Sequence, residues 1–181
     1  MEINDILDPL HLEERKQQGV LYYFRGWEGF RDIVKTGEVR SGAFGAVSFT
    51  RSYNMGEKIY SYAYQGKQIR FSLDGTKMSD RYKIEPFIDH TDTQIQRKYV
   101  KGFDMYPIHS ENEERVVMPM DDSINILNYL IQIDILQSTL EKLDKSKEYI
   151  DMINDRINDK FGRVIPCNIV DTFSPVRGVY A

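Results

Sequence analysis

The first part of the chain passes from an unbroken apolar run to apolar residues at helical spacing. Residues 20–24 are aromatic or aliphatic throughout, as in a buried β-strand. From residue 27 the apolar side chains recur three or four positions apart, at Trp27, Phe30, Ile33 and Val34. Gly37 is placed to end this helix. The pattern predicts a strand followed at once by an amphipathic helix, with Arg25-Gly26 at the junction.

The next patterns predict two further strands with a helix between them. Residues 46–50 follow a glycine-rich connection and are expected to form a strand with polar groups at its exit. Residues 53–64 have the spacing of a helix. Residues 67–73 alternate polar with apolar, which predicts a strand with one face in water, closed by a turn at Asp74-Gly75.

The second half of the chain begins with a long polar stretch and ends in helical patterns. Residues 91–109 show no sustained period, and a loop of this length inside a domain is usually functional or disordered. A strand is expected from Arg115 to Met118, and residues 124–135 are expected to continue the core. Helical spacing then predicts one amphipathic helix or a pair, on Leu140, Leu143, Ile150, Ile153, Ile157 and Phe161.

Length and composition favour one domain. The chain has 181 residues, of which 41% are hydrophobic, and this is enough for a single good core. We expect residues 1–181 to form one domain with a catalytic core at about 20–135. A short polar helical lead at 1–19 and a helical extension at 136–181 would flank that core.

Charge and cysteine content argue against several classes of protein. The net charge of −4 offers no field that would recruit nucleic acid or acidic membranes. Cys167 is the single cysteine, and the three histidines lie far apart, so neither a disulfide nor a metal site is expected. The acidic N-terminus does not resemble a signal peptide, and no apolar run has the length of a membrane span. We therefore expect a cytoplasmic protein.

Three short segments carry groups suited to breaking the bond between nicotinamide and ribose in NAD. They are Phe24-Arg25-Gly26, Ser48-Phe49-Thr50 and Glu111-Asn112-Glu113. An arginine can hold phosphate or ribose oxygens with its forked guanidinium. A serine at a strand end can orient the ribose or the carboxylate. A glutamate can stabilise the positive charge that develops on the ribose.

The acidic segment also offers two carboxylates that could have separate roles. Alternation along a strand places Glu111 and Glu113 on one face and Glu114 on the other. One carboxylate could then serve the ribose while the other engages the incoming nucleophile. Aromatic residues of the 53–64 segment, Tyr60 among them, are candidates to stack on the nicotinamide ring, although core packing is their commoner role.

In these segments the chain resembles the ADP-ribosyltransferase superfamily. The resemblance is to the branch with an aromatic residue before Arg-Gly, then Ser-x-Ser or Ser-x-Thr, then Glu-x-Glu before a strand, and it spans about residues 20–120. It implies that Glu113 is the catalytic glutamate and that Glu111 orients or deprotonates the acceptor. It assigns NAD contacts to residues drawn from the first two motifs and the following helix: Arg25, Gly26, Ser48, Phe49, Thr50 and Tyr60.

The resemblance also implies a fold, an activity and partners. The fold would be α+β, a split β-sandwich of two small, mainly antiparallel sheets with helices at their sides and the NAD cleft between them. The activity would be transfer of ADP-ribose from NAD to a macromolecule, with a protein arginine of a host as first candidate. Proteins of this kind are common in bacteriophages and bacterial toxin systems, where the host cytoplasm would be the site of action.

The sequence leaves several alternatives open. A shift of one residue in register would make Glu114 the catalytic group and put Asn112 in the accessory position. We favour Glu113, since it keeps both acids of Glu-x-Glu on one face. The acceptor could be a nucleic-acid base or a small molecule, or water in an NAD glycohydrolase. A module that binds a nucleotide or a partner without chemistry, such as an inhibitor of a host system, is the alternative outside enzymes.

Overall fold

The computed structural model describes residues 19–41, 45–54, 68–86, 113–119, 121–143 and 147–176. The strands in these ranges are β1 Val20–Arg25, β2 Glu38–Arg40, β3 Ala46–Thr50, β4 Ile69–Asp74, β5 Ile84–Pro86, β6 Glu113–Val117, β7 Ser123–Asn125, β8 Leu130–Leu136 and β9 Cys167–Val170. The helices are α1 Trp27–Thr36, α2 Gly75–Ser79, α3 Gln137–Leu143 and α4 Lys147–Phe161, with a 3₁₀ turn at Ile126–Tyr129.

The protein is α+β, as expected. Seven strands form one sheet in the order β5-β6-β3-β1-β4-β8-β9, and β2 pairs with β7 in a separate two-stranded ribbon. Neighbouring strands are antiparallel except for β8 and β9, which run parallel. The described strands thus divide into one large sheet and a small ribbon, where the resemblance implies two small sheets.

The large sheet is weakly joined at its centre. Strand β1 pairs with β4 along its whole length, from Val20 opposite Asp74 to Arg25 opposite Ile69. Within the described residues, its pairing with β3 is limited to Tyr22 opposite Thr50. We call β5, β6 and β3 the three-stranded half, and β1, β4, β8 and β9 the four-stranded half. Because one residue pair joins them, the backbone ladder alone does little to fix the angle between the halves.

One face of the sheet carries the main core, and we call it the helix face. Alternate residues of the central strands point into it and meet apolar side chains of α1, α3, α4 and the ribbon. Phe30 of α1, for example, is fully buried and its ring centroid lies 6.1 Å from that of Phe71 on β4. Burying one such side chain stabilises the fold by about 1.5–3 kcal/mol.

The opposite face carries a smaller cluster, and we call it the tail face. Tyr22, Phe24 and Leu136 lie there and are covered by Phe173, which follows β9. Residues beyond position 136 therefore supply an edge strand and a cover to the sheet, as well as the helices that the sequence predicts. The helical pair is confirmed, whereas nothing in the sequence pattern predicted β9.

The strand and helix predicted at the start of the chain are confirmed. Helix α1 buries Phe30 and Ile33, and it ends at Gly37, whose φ of 78° lies in the left-handed region. The amide of Gly37 donates to the carbonyl of Ile33, which closes the helix. A Cβ at this position would meet Asn125 and Leu127 at 3.1 Å, so packing and backbone both favour glycine.

Two local expectations for β4 are wrong. The polar face of this strand is not in water, because Arg70 and Ser72 on the tail face are 2% and 0% exposed. Asp74 does not lead into a simple turn. Its Oδ1 accepts from the amide of Lys77 at 2.9 Å, and it thereby caps the short helix α2.

Some predictions fall outside the described residues. These are the N-terminal lead, the loop at 91–109 and most of the helix at 53–64, of which Tyr53 and Asn54 are described and lie in a turn. Within the described ranges, no helix combines the length and apolar character needed to cross a membrane.

Candidate active site

The structure brings the strands of the three motifs side by side. Strand β3, with the Ser-x-Thr motif, lies between β1, which ends in Arg25, and β6, which begins with Glu113. Consecutive motifs are separated along the chain by up to about 60 residues, yet β3 is the direct neighbour of both β1 and β6. This adjacency follows from long-range pairing and could not be read from the sequence.

Arg25 lies at the end of β1 on the helix face. Its guanidinium carbon is 4.9 Å from the centre of the Tyr23 ring, within the range of a cation–π contact. A Cβ added at Gly29 of α1 would lie 3.0 Å from Cδ of Arg25, so the absent side chain of Gly29 makes room for the arginine stem. Ring and helix therefore hold this arginine at the exit of the strand.

Tyr23 links Arg25 to the core beneath. Its ring centroid is 5.6 Å from that of Phe49 on β3, across the weak junction of the sheet. Burial raises the pKa of the Tyr23 phenol, and the charge and hydrogen bond of Arg25 offset part of this rise. The phenol is therefore neutral at physiological pH and acts as a polar support for the guanidinium.

The residues of the Ser-x-Thr segment have different environments. Phe49 is 1% exposed and belongs to the core on the helix face. Ser48 and Thr50 alternate with it and lie on the tail face. Thr50 is fully buried and its hydroxyl accepts from the amide of Ser52 at 3.0 Å. Ser48 is only partly buried, which leaves it the more accessible of the two hydroxyls.

The register of β6 separates the two described glutamates. Glu113 is opposite Thr50, and Glu114 is opposite Phe49. Paired residues of an antiparallel sheet share a face, so the Glu113 position belongs with Thr50 on the tail face. Glu114 is on the helix face, where its Oε1 lies 2.5 Å from Nε of Arg51. Its side chain is 9% exposed, so this largely buried carboxylate is engaged in an ion pair with a partly exposed arginine.

The proposed site residues therefore do not all share one face. Arg25 is on the helix face, whereas Ser48 and the Glu113 position are on the tail face. Gly26 is the N-cap residue of α1, and its carbonyl accepts from the amide of Phe30 at 3.0 Å. Glu111 and Tyr60 lie outside the described residues.

Sequence reasoning missed a buried arginine close to the junction. Arg70 Nη2 lies 2.7 Å from Oδ2 of Asp134, and both side chains are 2% exposed. Asp134 Oδ1 accepts further hydrogen bonds, each of 2.9 Å, from the amide groups of Gln132 and Asn168. Opposite charges, one in the predicted strand at 67–73 and one in the apolar run at 124–135, were the available signal, but nothing local indicated that they would be buried together.

In the described part of the chain, no three potential metal ligands among histidine, cysteine, aspartate and glutamate come together. Comparison of the chain with protein families, curated proteins and solved structures found no match in any of the three.

Proposed function

We propose that the protein transfers ADP-ribose from NAD to a macromolecular acceptor, with a protein arginine as first candidate, and releases nicotinamide. The observation that carries the proposal is the adjacency of the three motif strands, β1, β3 and β6. It is supported by the register that sets Glu113 opposite Thr50, with Ser48 two residues along the same face.

The reaction requires little covalent assistance from the protein. The bond between ribose C1′ and the nicotinamide nitrogen breaks, and nicotinamide leaves as a neutral molecule with the bonding electrons. A guanidinium nitrogen of the acceptor then forms a bond to C1′ and loses a proton. The carboxylate of Glu113 would stabilise the oxocarbenium-like transition state, and Glu111 would orient the acceptor or take its proton.

Arg25 is suited to hold the pyrophosphate of NAD. It lies next to the N-terminus of α1, where no side chain caps the helix and the dipole favours negative charge. Its support by Tyr23 and Gly29 reduces the entropy that would be lost when it orders around a ligand. The weak junction is where a ligand could touch Arg25 on one half and Ser48 on the other.

The ion pair of Glu114 with Arg51 favours Glu113 as the catalytic glutamate. A carboxylate in a close ion pair on the core side of the sheet is poorly placed to reach a substrate. The position of Glu113, in contrast, shares its face with the accessible hydroxyl of Ser48.

The decisive experiment measures release of nicotinamide from NAD by the purified protein, with and without bacterial lysate. Mass spectrometry then identifies any molecule that has gained ADP-ribose. Release that depends on lysate and leaves a modified macromolecule would support the transferase. Release without an acceptor would favour an NAD glycohydrolase, and no release in either condition would overturn the proposal in favour of a binding module.

Glu113→Gln tests in the same experiment whether Glu113 is the catalytic glutamate. It keeps size and hydrogen-bonding capacity but removes the charge, and we expect nicotinamide release to fall by about 100-fold or more. Binding of NAD, measured by calorimetry, should change far less. Full activity in Glu113→Gln would refute the role given to this residue.

A further inference from the structure

Arg70 makes hydrogen bonds to both halves of the large sheet. It lies on β4 in the four-stranded half, where Nε and Nη2 donate to Asp134 at 3.2 and 2.7 Å. Its third nitrogen, Nη1, donates to the backbone carbonyl of Tyr53 at 2.8 Å. Tyr53 comes shortly after β3, which belongs to the three-stranded half. One buried guanidinium therefore makes hydrogen bonds on both sides of the junction.

The same guanidinium lies against the residue that forms the junction. Its central carbon is 4.9 Å from the centre of the Tyr22 ring, and Tyr22 is the residue of β1 that pairs with β3. A single backbone pair between two strands constrains their relative angle less than a full ladder does. Side-chain contacts at that pair must therefore supply most of the local rigidity on the tail face.

The segment after β9 covers this arrangement. The ring centre of Phe173 lies 4.8 Å from the guanidinium carbon of Arg70. The same ring packs edge-on against that of Phe24, with 5.5 Å between the two ring centres. Three residues later, the amide of Val176 donates to the hydroxyl of Tyr22 at 3.1 Å. The aromatic rings of Tyr22 and Phe173 thus both contact Arg70 and exclude water from its hydrogen bonds.

We propose that Arg70, Tyr22 and Phe173 form a clamp that sets the opening between the two halves of the sheet and thereby positions Ser48 relative to Arg25. This inference rests on the proposed function, since Arg25 belongs to one half and Ser48 to the other. The three residues of the clamp are positioning residues, and they touch neither substrate nor reacting atoms. If these three residues had only a structural role, they would contribute to stability without controlling the distance between the halves.

The test measures that distance directly in the full-length protein. Spin labels are attached at two exposed positions in a Cys167→Ala background: Val117→Cys on β6, and Met152→Cys on α4, which packs against β9 of the four-stranded half. Distance distributions are then compared for the parent, Phe173→Leu and Arg70→Lys. The clamp predicts a broader distribution with a longer mean in both variants. Ile157→Val, in the core of the helix face, is the control for a modest loss of stability and should leave the distribution unchanged.

Catalysis provides the second readout. A displacement of about 1 Å between catalytic groups can cost about 100-fold in rate, so Phe173→Leu should lower kcat for nicotinamide release by about 10- to 100-fold. Tyr22→Phe, which removes only the hydroxyl, should show a smaller loss of kcat. Tyr129→Phe removes the hydroxyl of a tyrosine that is buried to a similar extent as Tyr22 but lies away from the junction, and it should leave kcat within about twofold of the parent.

The two readouts separate failure of the clamp from failure of the proposed function. If the parent protein releases no nicotinamide, the function is wrong, and the distance distributions alone decide on the clamp. If distributions in Phe173→Leu and Arg70→Lys match the parent, the clamp is wrong whatever the activity. Should Arg70→Lys fail to fold, Phe173→Leu gives the same decision, because it leaves the ion pair with Asp134 intact.

Discussion

Arg51 and Glu114 form an ion pair in which Nε of the arginine lies 2.5 Å from Oε1 of the glutamate. The pair joins the residue after β3 to β6 on the helix face. The neighbouring Glu113 position belongs to the other face, opposite Thr50. Two consecutive acidic residues thus have different environments, because successive residues of a strand alternate between faces.

Glu114→Gln should separate a structural from a catalytic role for this residue. We expect nicotinamide release to stay within about threefold of the parent, since a change that leaves catalytic groups in place has little effect on the barrier. Stability should fall by about 0–1 kcal/mol in urea unfolding, because Arg51 is 40% exposed and its pair is partly screened by water. Loss of activity here with full activity in Glu113→Gln would reverse the assignment.

Gly29→Ala should weaken NAD binding without weakening the fold. Alanine in place of glycine favours a helix by about 0.8–1.0 kcal/mol, so the melting temperature should stay the same or rise. The new Cβ would press on Cδ and Cγ of Arg25, at 3.0 and 3.3 Å, and shift the guanidinium. A loss of about 1 kcal/mol in binding corresponds to about fivefold in Kd, measurable by calorimetry.

Glu28→Ala is the control for that change. It also introduces alanine into the first turn of α1, at a side chain that is 84% exposed and paired with Arg31. Unchanged NAD affinity in Glu28→Ala and reduced affinity in Gly29→Ala would support the role of Arg25. Equal affinity in both variants and the parent would contradict it.

Asp134→Ala should be among the most destabilising single changes at the tail face. It leaves the guanidinium of Arg70 buried without its counter-charge, and such a loss typically costs about 3–5 kcal/mol. Urea unfolding of the variant and of the double variant Arg70→Met/Asp134→Leu measures the effect. The double variant should recover much of the stability, because it removes both charges. A loss below about 1 kcal/mol in Asp134→Ala would show that water solvates Arg70.

Cys167 should be unreactive in the folded protein and should make stability fall at high pH. Burial raises the pKa of its thiol to about 12, from an ordinary value of 9.0, with further increases from Asp134 and Asp151. Between these two pKa values the unfolded chain releases a proton that the folded protein retains, so unfolding becomes easier as pH rises. The stability associated with the thiol is complete below pH 9 and is lost as pH approaches 12.

Two measurements check this prediction. The free energy of unfolding should decrease more steeply above pH 9 in the parent than in Cys167→Ala. A thiol reagent at pH 8 should label the parent rapidly in urea and slowly without it, because the thiolate is the reactive form. Rapid labelling of the folded protein would show that the thiol is exposed.

Local sequence patterns were sufficient to predict the helices and strands whose defining residues lie close together in the sequence. The apolar run of β1, the helical spacing of α1 and the glycine at position 37 each act within one element or its cap. The predictions of β3 and of the helical pair α3 and α4 succeeded for the same reason. Strand alternation also indicated that Glu113 and Glu114 belong to opposite faces, because it depends only on their being consecutive in one strand.

Long-range pairing decided what the patterns left open. The side-by-side placement of β1, β3 and β6, the parallel addition of β9 and the single pair between Tyr22 and Thr50 depend on contacts between distant residues. The same holds for Arg70, whose alternation in β4 predicted contact with water. The chain itself determined which residues alternate and where helix α1 begins and ends. Only the tertiary structure decided which polar faces are covered, because burial depends on the segment that folds over them, here the residues after β9.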